Sequence, residues 1–270
     1  MPELPEVETI CHDISASILK QKITSVVIRN FKLRYPISKT LPKILTGQKI
    51  EKVSRLGKYI LLKTKTGALI IHLGMSGNLQ IKPRDHDLAK HEHVNIILAN
   101  NLSLCYHDPR RFGAILWTTK DSLKHKLLQN LGPDPLHITA NHLFERAKSR
   151  RLPIKQFIMN NQIITGIGNI YASEILFAAK IDPLQKANSI SLNQCKKLIK
   201  EAKRILKLAI KHRGTTISDH KDGKGKEGSF QNKLKVYGKE KIPCGKCRTK
   251  LKLIKIAGRS TFFCPSCQAT

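Results

Sequence analysis

Four cysteines near the C-terminus constrain this chain more than any other feature. They fall as Cys244-x2-Cys247-x16-Cys264-x2-Cys267, two close pairs with a spacer long enough for one β-hairpin. Four thiolates at that spacing complete a tetrahedral Zn2+ shell and leave no open position for a catalytic water, so the expected metal is structural. The remaining cysteines, Cys11, Cys105 and Cys195, are scattered singly. That usage argues for a metal and a reducing compartment rather than a disulfide frame. Leu251, Leu253 and Ile256 between the pairs predict a hairpin with Arg259 at its tip, just beyond Gly258. Such ribbons present a basic tip to a groove or a phosphate.

Charge says what a finger of this kind would face. Lys and Arg number 49 against 19 Asp and Glu in 270 residues, a formal net charge of +30. An excess of that size points to a polyanion, with nucleic acid first. An acidic membrane surface fits less well, because there is no long apolar run and no lone basic amphipathic anchor. The first residues are acidic, unlike a signal peptide. We therefore expect a cytosolic, soluble protein that faces nucleic acid and no membrane.

Along the chain, a first helix with Leu4, Val7, Ile10, Cys11, Ile14 and Ile18 at helical spacing gives way to short β-rich runs. These runs are 49–55, 59–64, 68–73, 93–98, 102–106 and 112–117, separated by turns such as Lys65-Thr66-Gly67 and Asn100-Asn101. Short links imply antiparallel pairing and a two-layer β domain. Gly132-Pro133-Asp134-Pro135 reads as a hinge, and beyond it the helical period takes over. Thr139 is a candidate cap, 154–159 a short helix, and Gly166-Ile167-Gly168-Asn169 the opening of another. Ser191 with Gln194 forms a capping box for a lysine-rich helix ending near Gly214. The Gly-, Lys- and Asp-rich stretch 218–228 predicts a mobile loop. The boundaries expected are 1–130 for the β domain, 131–138 for the hinge, 139–235 for the helical domain with its loop 215–229, and 236–270 for the zinc finger.

The chemistry begins at Met1-Pro2-Glu3-Leu4-Pro5-Glu6-Val7-Glu8. With Met1 removed, Pro2 presents a secondary amine able to attack a sugar carbon and form an iminium. An α-amino group titrates about two to three units below a lysine, which leaves it less firmly protonated. Glu3 places a carboxyl beside it for acid–base work. The plainer reading is a helix start, which also favours proline and glutamate.

Gly74-Met75-Ser76-Gly77 sets a large apolar side chain in a glycine-flanked turn, and Asp108-Pro109-Arg110-Arg111-Phe112-Gly113 repeats the theme. Exposed Met75 and Phe112 could act as wedges in a base stack, with Arg110 bonding a widowed base. Ordinary core packing is the alternative for both. Asn169 after its glycine turn is either a phosphate donor or a helix cap. Lys58 after Gly57 is a lone lysine at a hairpin. His72, His86, His91, His93 and His107 lack metal spacing and are expected to be structural or phosphate-facing.

Taken together, these residues resemble the bacterial formamidopyrimidine-DNA glycosylase family. The match runs from the first eight residues through Gly57-Lys58-Tyr59, His72-Leu73-Gly74-Met75-Ser76-Gly77 and Asp108-Pro109-Arg110-Arg111-Phe112-Gly113. It continues through Thr165-Gly166-Ile167-Gly168-Asn169-Ile170-Tyr171-Ala172-Ser173-Glu174 to the zinc segment with Gly258-Arg259-Ser260-Thr261. The resemblance implies an α+β chain: an N-terminal antiparallel β-sandwich with flanking helices, and a C-terminal helix–two-turn–helix domain with a four-cysteine β-hairpin zinc finger. Damaged double-stranded DNA would lie between them.

It further implies a bifunctional glycosylase and abasic-site lyase for oxidised purines. Pro2 would be the nucleophile, Glu3 the proton donor, Lys58 a further general acid, and Arg259 would complete the catalytic set at the phosphates. Met75, Arg110 and Phe112 would fill the void left by the extruded base. His91, Lys155 and Asn169 would contact DNA. Glu6, Thr215, Thr216 and Ser218 would line the lesion pocket.

Two rival readings are the sister glycosylase for oxidised pyrimidines and a non-catalytic zinc-ribbon DNA-binding protein. The Met75, Arg110 and Phe112 set argues against the first, and the complete catalytic set against the second. Leu56 stands where the family often has an arginine. More consequential, Ser218 stands where an arginine is frequent and His220 where an aromatic is frequent. We expect weaker discrimination between 8-oxoguanine and ring-opened purines than in typical members. Excision rates on paired lesion duplexes test this, and selectivity equal to a typical member's would reject it.

Overall fold

The apolar alternation of the first half resolves, in the computed structural model, into two sheets sharing one core with a helix. The structure describes residues 1–119, 121–216 and 222–269. Helix α1 (Leu4–Ile18) has proline in its first turn, and Glu3 and Glu6 cap it reciprocally. All six of its expected apolar positions are buried.

The chain then forms β1 (Ile23–Ile28), α2 (Leu41–Leu45), β2 (Lys52–Leu56), β3 (Tyr59–Lys63), β4 (Ala68–His72), β5 (Asn78–Pro83), β6 (Glu92–Leu98), β7 (Leu102–His107) and β8 (Ala114–Thr118). The sheets run β1-β6-β7-β5 and β2-β3-β4-β8, and every pairing is antiparallel. Val7, Ile10 and Ile14 of α1 share a core with Ile60, Leu62 and Leu69 of one sheet and with Leu79, Val94 and Leu104 of the other. The expected two-layer sandwich is present, and α1 packs on strands of both layers.

Two strands, β1 and β5, lie outside the expected runs. Thr24 and Ser25 interrupt the apolar stretch of β1. β5 starts directly after the Gly77 turn and ends on Pro83, which is tolerated because β5 is an edge strand. The last strand begins at Ala114 rather than 112, so Phe112 stays in a loop.

By internal contacts the first compact unit comprises Met1–Gln129 and His212–Gln231, and the second Asn130–Lys211 and Asn232–Thr270. The boundary drawn from sequence at 139–235 runs across this grouping. Within the stretch expected as a mobile loop, residues 222–226 form a hydrogen-bonded turn. The Asp222 side chain accepts the Lys224 and Lys226 N–H groups at 2.9 and 2.8 Å, and the Ile81 N–H of β5 reaches the Gly223 carbonyl at 3.1 Å.

The second unit holds α3 (Ala140–Ala147), α4 (Ile154–Ile158), α5 (Asn169–Ala179) and α6 (Leu192–Lys211). Thr139 caps α3 through the His142 N–H at 3.2 Å. Ser191 and Gln194 bond reciprocally at the start of α6, at 2.9 and 3.1 Å. The turns between α4 and α5 give the helix–two-turn–helix arrangement. The hairpin β9 (Lys252–Ile256) and β10 (Arg259–Phe263) closes on Ala257 and Gly258. Both have positive φ, 47° and 74°, as a two-residue primed turn requires. Leu251 and Ile256 are buried, but Leu253, expected with them, is exposed, and Phe262 and Phe263 supply the buried surface instead. Among the described residues no helix is long and apolar enough to cross a membrane.

Glu174 of α5 fastens the lead into this hairpin. Its carboxylate accepts the Lys235, Val236 and Tyr237 N–H groups at 2.8, 2.8 and 2.9 Å. Burial pushes this carboxyl up and the three amides pull it back. Glu174→Ala would strand three donors, so we expect a loss of about 3 kcal/mol in stability. Thermal unfolding followed together with zinc release would register the change, with the metal leaving earlier than from the unaltered protein.

Candidate active site and nucleic-acid interface

One carboxylate organises the N-terminus. Pro2 and Glu3 are buried while Met1 is exposed. Glu6 accepts the Glu3 N–H on Oε2 and the Thr215 N–H on Oε1, both at 2.8 Å. Gly214 makes that approach feasible: it has φ +79°, and a Cβ there would meet Glu6 Oε1 at 2.7 Å. Thr216 donates its N–H to Gln231 at 3.1 Å and accepts the Gly228 N–H on its hydroxyl at 2.9 Å. The Glu6 carboxylate therefore joins Glu3 and Thr215, with Pro2 and Thr216 next to them in the chain, whereas Ser218 and His220 lie outside the described residues. Lys58 is buried on the two-residue turn joining β2 to β3, with Gly57 supplying the positive φ of 59° at its first position.

A second assembly joins the two loops of the proposed wedge. Met75 and Phe112 are 45% and 46% exposed, so neither is a core residue. Asp108, fully buried, ties the loops together. It accepts from Ser76 Oγ at 2.8 Å, Gly113 N–H at 2.9 Å and Tyr106 Oη at 3.2 Å. Gly74 lies so close to the other loop that a Cβ would stand 2.5 Å from the Phe112 carbonyl carbon. The Arg110 guanidinium stacks 4.8 Å from the Phe112 ring. His91 is exposed with φ 66°, beside the His93 and His107 rings at 6.3 and 6.0 Å.

His72 shapes the Met75 turn, its Nδ1 accepting the Gly74 N–H at 3.0 Å. Burial, then the charges of Lys58 and Arg34, hold its pKa down at about 4. That keeps the ring neutral and able to accept. A pKa lowered by folding means the stabilisation is complete above about 6.5 and drains as pH falls through about 4. We therefore expect the unfolding temperature to drop across that window, and His72→Gln to flatten the drop. Thermal melts as a function of pH measure both.

In the second unit, Lys155, Asn169 and the zinc hairpin form a third assembly. Lys155, expected from the resemblance to contact DNA, is held inside this assembly. It is 1% exposed and its ammonium donates to Asn169 Oδ1, the Ser260 carbonyl and Thr261 Oγ1, at 2.7, 2.8 and 2.8 Å. Three nearby acceptors draw the charge inward. Asn169 is the first residue of α5 rather than its cap, which is Gly168. Its Nδ2 donates to the Ser260 carbonyl at 2.9 Å. This brace sets the start of α5 against the strand that begins with exposed Arg259.

The four cysteines fit zinc. Zn–S bonds of 2.3 Å at tetrahedral angles put sulfurs about 3.8 Å apart. Here Cys244 and Cys267 Sγ are 3.9 Å apart, Cys247 and Cys264 Sγ 3.4 Å, and all four ligand atoms lie within 4.8 Å of one another. The Lys246 and Cys267 N–H groups point at Cys244 and Cys264 Sγ, each at 3.4 Å, as thiolates favour. These residues hold a structural Zn2+ that knits the hairpin.

A second cluster, His86, Glu92 and Cys105, is closed by hydrogen bonds. Lys82 donates to Glu92 at 2.7 Å, and the Asn95 amide donates to Glu92 at 2.7 Å and to Cys105 Sγ at 3.2 Å. Burial would raise the Glu92 carboxyl, but the donors Lys82, Asn95 and His86 outweigh it and hold it at about 2. His86 is thus structural. Arg213, Asp13 and Asp222 are organising groups that no local motif marked, and Asp108 stood in a motif read only for its Arg110 and Phe112.

Three family profiles cover the chain in order. The Formamidopyrimidine-DNA glycosylase N-terminal domain matches residues 1–115, the Formamidopyrimidine-DNA glycosylase H2TH domain matches 131–221, and the Zinc finger found in FPG and IleRS matches 241–270. The formamidopyrimidine-DNA glycosylase of Hydrogenovibrio crunogenus is 45% identical over 99% of this chain and 96% of its own. That of Pseudomonas entomophila is 47% identical over 99% and 100%. Among solved structures, a Lactococcus lactis FPG mutant in complex with DNA containing Fapy-dG superposes with TM-score 0.92, at 33% identity and full coverage of both chains. The wild-type Lactococcus lactis enzyme with DNA containing an oxidised pyrimidine gives 0.91, at 33% identity and the same coverage. Fold and site together define a zinc-finger protein of the DNA glycosylase class. The chain belongs to the formamidopyrimidine-DNA glycosylase family.

Proposed function

We propose that this protein excises oxidised purines, 8-oxoguanine and formamidopyrimidines, from double-stranded DNA and then cuts the strand at the resulting site. It acts as a cytoplasmic monomer. The observation that carries this reading is the N-terminus itself: Pro2 and Glu3 are buried and the Glu3 N–H that follows Pro2 is held by Glu6 at 2.8 Å, in a chain of this family. Fixing a nucleophile in place ahead of the reaction is a large part of catalysis by proximity.

In this reading the Pro2 nitrogen, freed by loss of Met1, attacks C1′ of the extruded nucleotide. The glycosidic bond breaks, the base leaves with its electron pair, and Glu3 handles the proton as the sugar ring opens to an iminium. Loss of a C2′ proton then expels the 3′ phosphate, with Lys58 as general acid, and a second elimination releases the 5′ phosphate. A covalent imine lets base release and strand scission share one site. Flipping the nucleotide costs a few kcal/mol, and exposed Met75 and Phe112, stacked with Arg110, offset part of it by occupying the gap. Arg259, Asn169 and His91 contact phosphates. Lys155 serves by holding Asn169 and the hairpin. The broadened lesion preference expected from Ser218 and His220 belongs to the same proposal.

Borohydride trapping on an 8-oxoguanine:cytosine duplex, with undamaged duplex as control, tests the reading. We expect a lesion-dependent adduct, and mass spectrometry of the N-terminal peptide should place it on Pro2. Protein that retains Met1 should give none, since its proline nitrogen is an amide. Zinc-loaded protein starting at Pro2 that forms no adduct would favour a binding protein without catalysis.

A further inference from the structure

Arg213 sits where an arginine is poorly suited to the backbone. Its φ is 61°, in the left-handed region that glycine occupies more readily. Its side chain explains its presence. Nε donates to Asp222 Oδ2 and Nη2 to Asp13 Oδ2, both at 2.5 Å. Asp13 lies on α1, and both carboxylates are buried. Asp222 in turn caps the 222–226 turn. The next residue, Gly223, lies so close to α1 that a Cβ would stand 2.8 Å from Asp13 Cβ. On the other side of Arg213, Gly214 and Thr215 run straight onto Glu6. One guanidinium thus fastens the stretch before residue 217 and the stretch after residue 221 to the helix that begins at the N-terminus.

We infer that Arg213, with Asp13 and Asp222, is a positioning group for the base-recognition half of the reaction, an inference that rests on the proposed function. The cap at the N-terminus is local: Glu6 holds the Glu3 N–H within the first turn of α1 and does not need Arg213. The Thr215 and Thr216 amides are held across the fold, by Glu6 and Gln231, on a stretch that Arg213 anchors together with the backbone bonds from Ser229 to His212 and from Phe230 to Gly214. Loss of the anchor therefore impairs recognition of the extruded base. It spares chemistry at a site that has no base to recognise.

The test compares two duplexes under single-turnover conditions, one with 8-oxoguanine opposite cytosine and one with an abasic site. Arg213→Gly relieves the left-handed backbone and removes both ion pairs. We expect base excision to fall about tenfold or more, on the scale that misplacement of a binding group produces. Strand cleavage at the abasic site should stay within about twofold of the unaltered protein. Arg213→Lys, which keeps one charge, should restore part of the lost excision. Asp222→Asn, nearly isosteric, carries the same test should Arg213→Gly fail to fold. Equal slowing on both duplexes, or no slowing on either, overturns the positioning role while leaving the proposed function intact. Unaltered protein that cuts neither duplex overturns both.

Discussion

The buried carboxylate of Glu6 is the contact on which the candidate site depends. Its two oxygens serve two backbone amides of different origin, Glu3 at the N-terminus and Thr215 some two hundred residues later, each at 2.8 Å. A hydrogen bond to an ionised acceptor is worth about 1.5–3 kcal/mol, and a buried carboxylate left without donors is worth far less than none at all. The two amides therefore stabilise the charge, and the charge fixes the two amides. Everything that α1 buries between the sheets serves to hold that carboxylate still.

The same logic runs through the acidic residues as a set. Glu3, Glu6, Asp13, Glu92, Asp108, Glu174 and Asp222 are all buried, out of 19 acidic residues in the chain. Six of them take donors from elements distant in sequence or from turn amides: Asp108 joins two loops, Glu174 fastens the approach to the hairpin, and Asp13 and Asp222 share Arg213. Burial of so many acids leaves the surface more one-sidedly cationic than the formal charge suggests. Two tasks are thus met by one allocation: carboxylates act inside as organisers, and lysines remain outside for phosphates.

What was legible in the sequence was local. The zinc spacing, the Thr139 cap and the Ser191–Gln194 box depend on residues a few positions apart, and each stands in the structure as read. The two-layer sheet followed from β-rich runs joined by short links, but β1 and β5 did not, because polar or proline positions blur a six-residue pattern. The surroundings of Lys155 were not legible, because only the fold brings Ser260 and Thr261, more than one hundred residues away, around its ammonium. The role of Arg213 was hidden for the same reason, the Arg213–Asp13 bond spanning 200 residues.

Backbone strain marks where these long-range contacts matter. Non-glycine residues with positive φ include Lys20, Asn101 and Lys180, which follow a helix or close a hairpin, as such residues commonly do. Arg213 likewise follows a helix, α6, and His91, Arg111 and Ala257 share the conformation away from helix ends; these four lie within or beside groups proposed to meet DNA or the lesion. A left-handed non-glycine residue costs on the order of 1 kcal/mol and persists only where its surroundings over-determine it. At Arg213 the surroundings are two buried carboxylates, and at Arg111 the loop is held by Ser76 through the Arg110 N–H on one side and by Asp108 through the Gly113 N–H on the other. At Ala257 it is the primed turn that aims Arg259. The strained positions and the organising carboxylates are therefore two aspects of one design, in which buried charge holds exposed loops in shapes their own sequences would not choose.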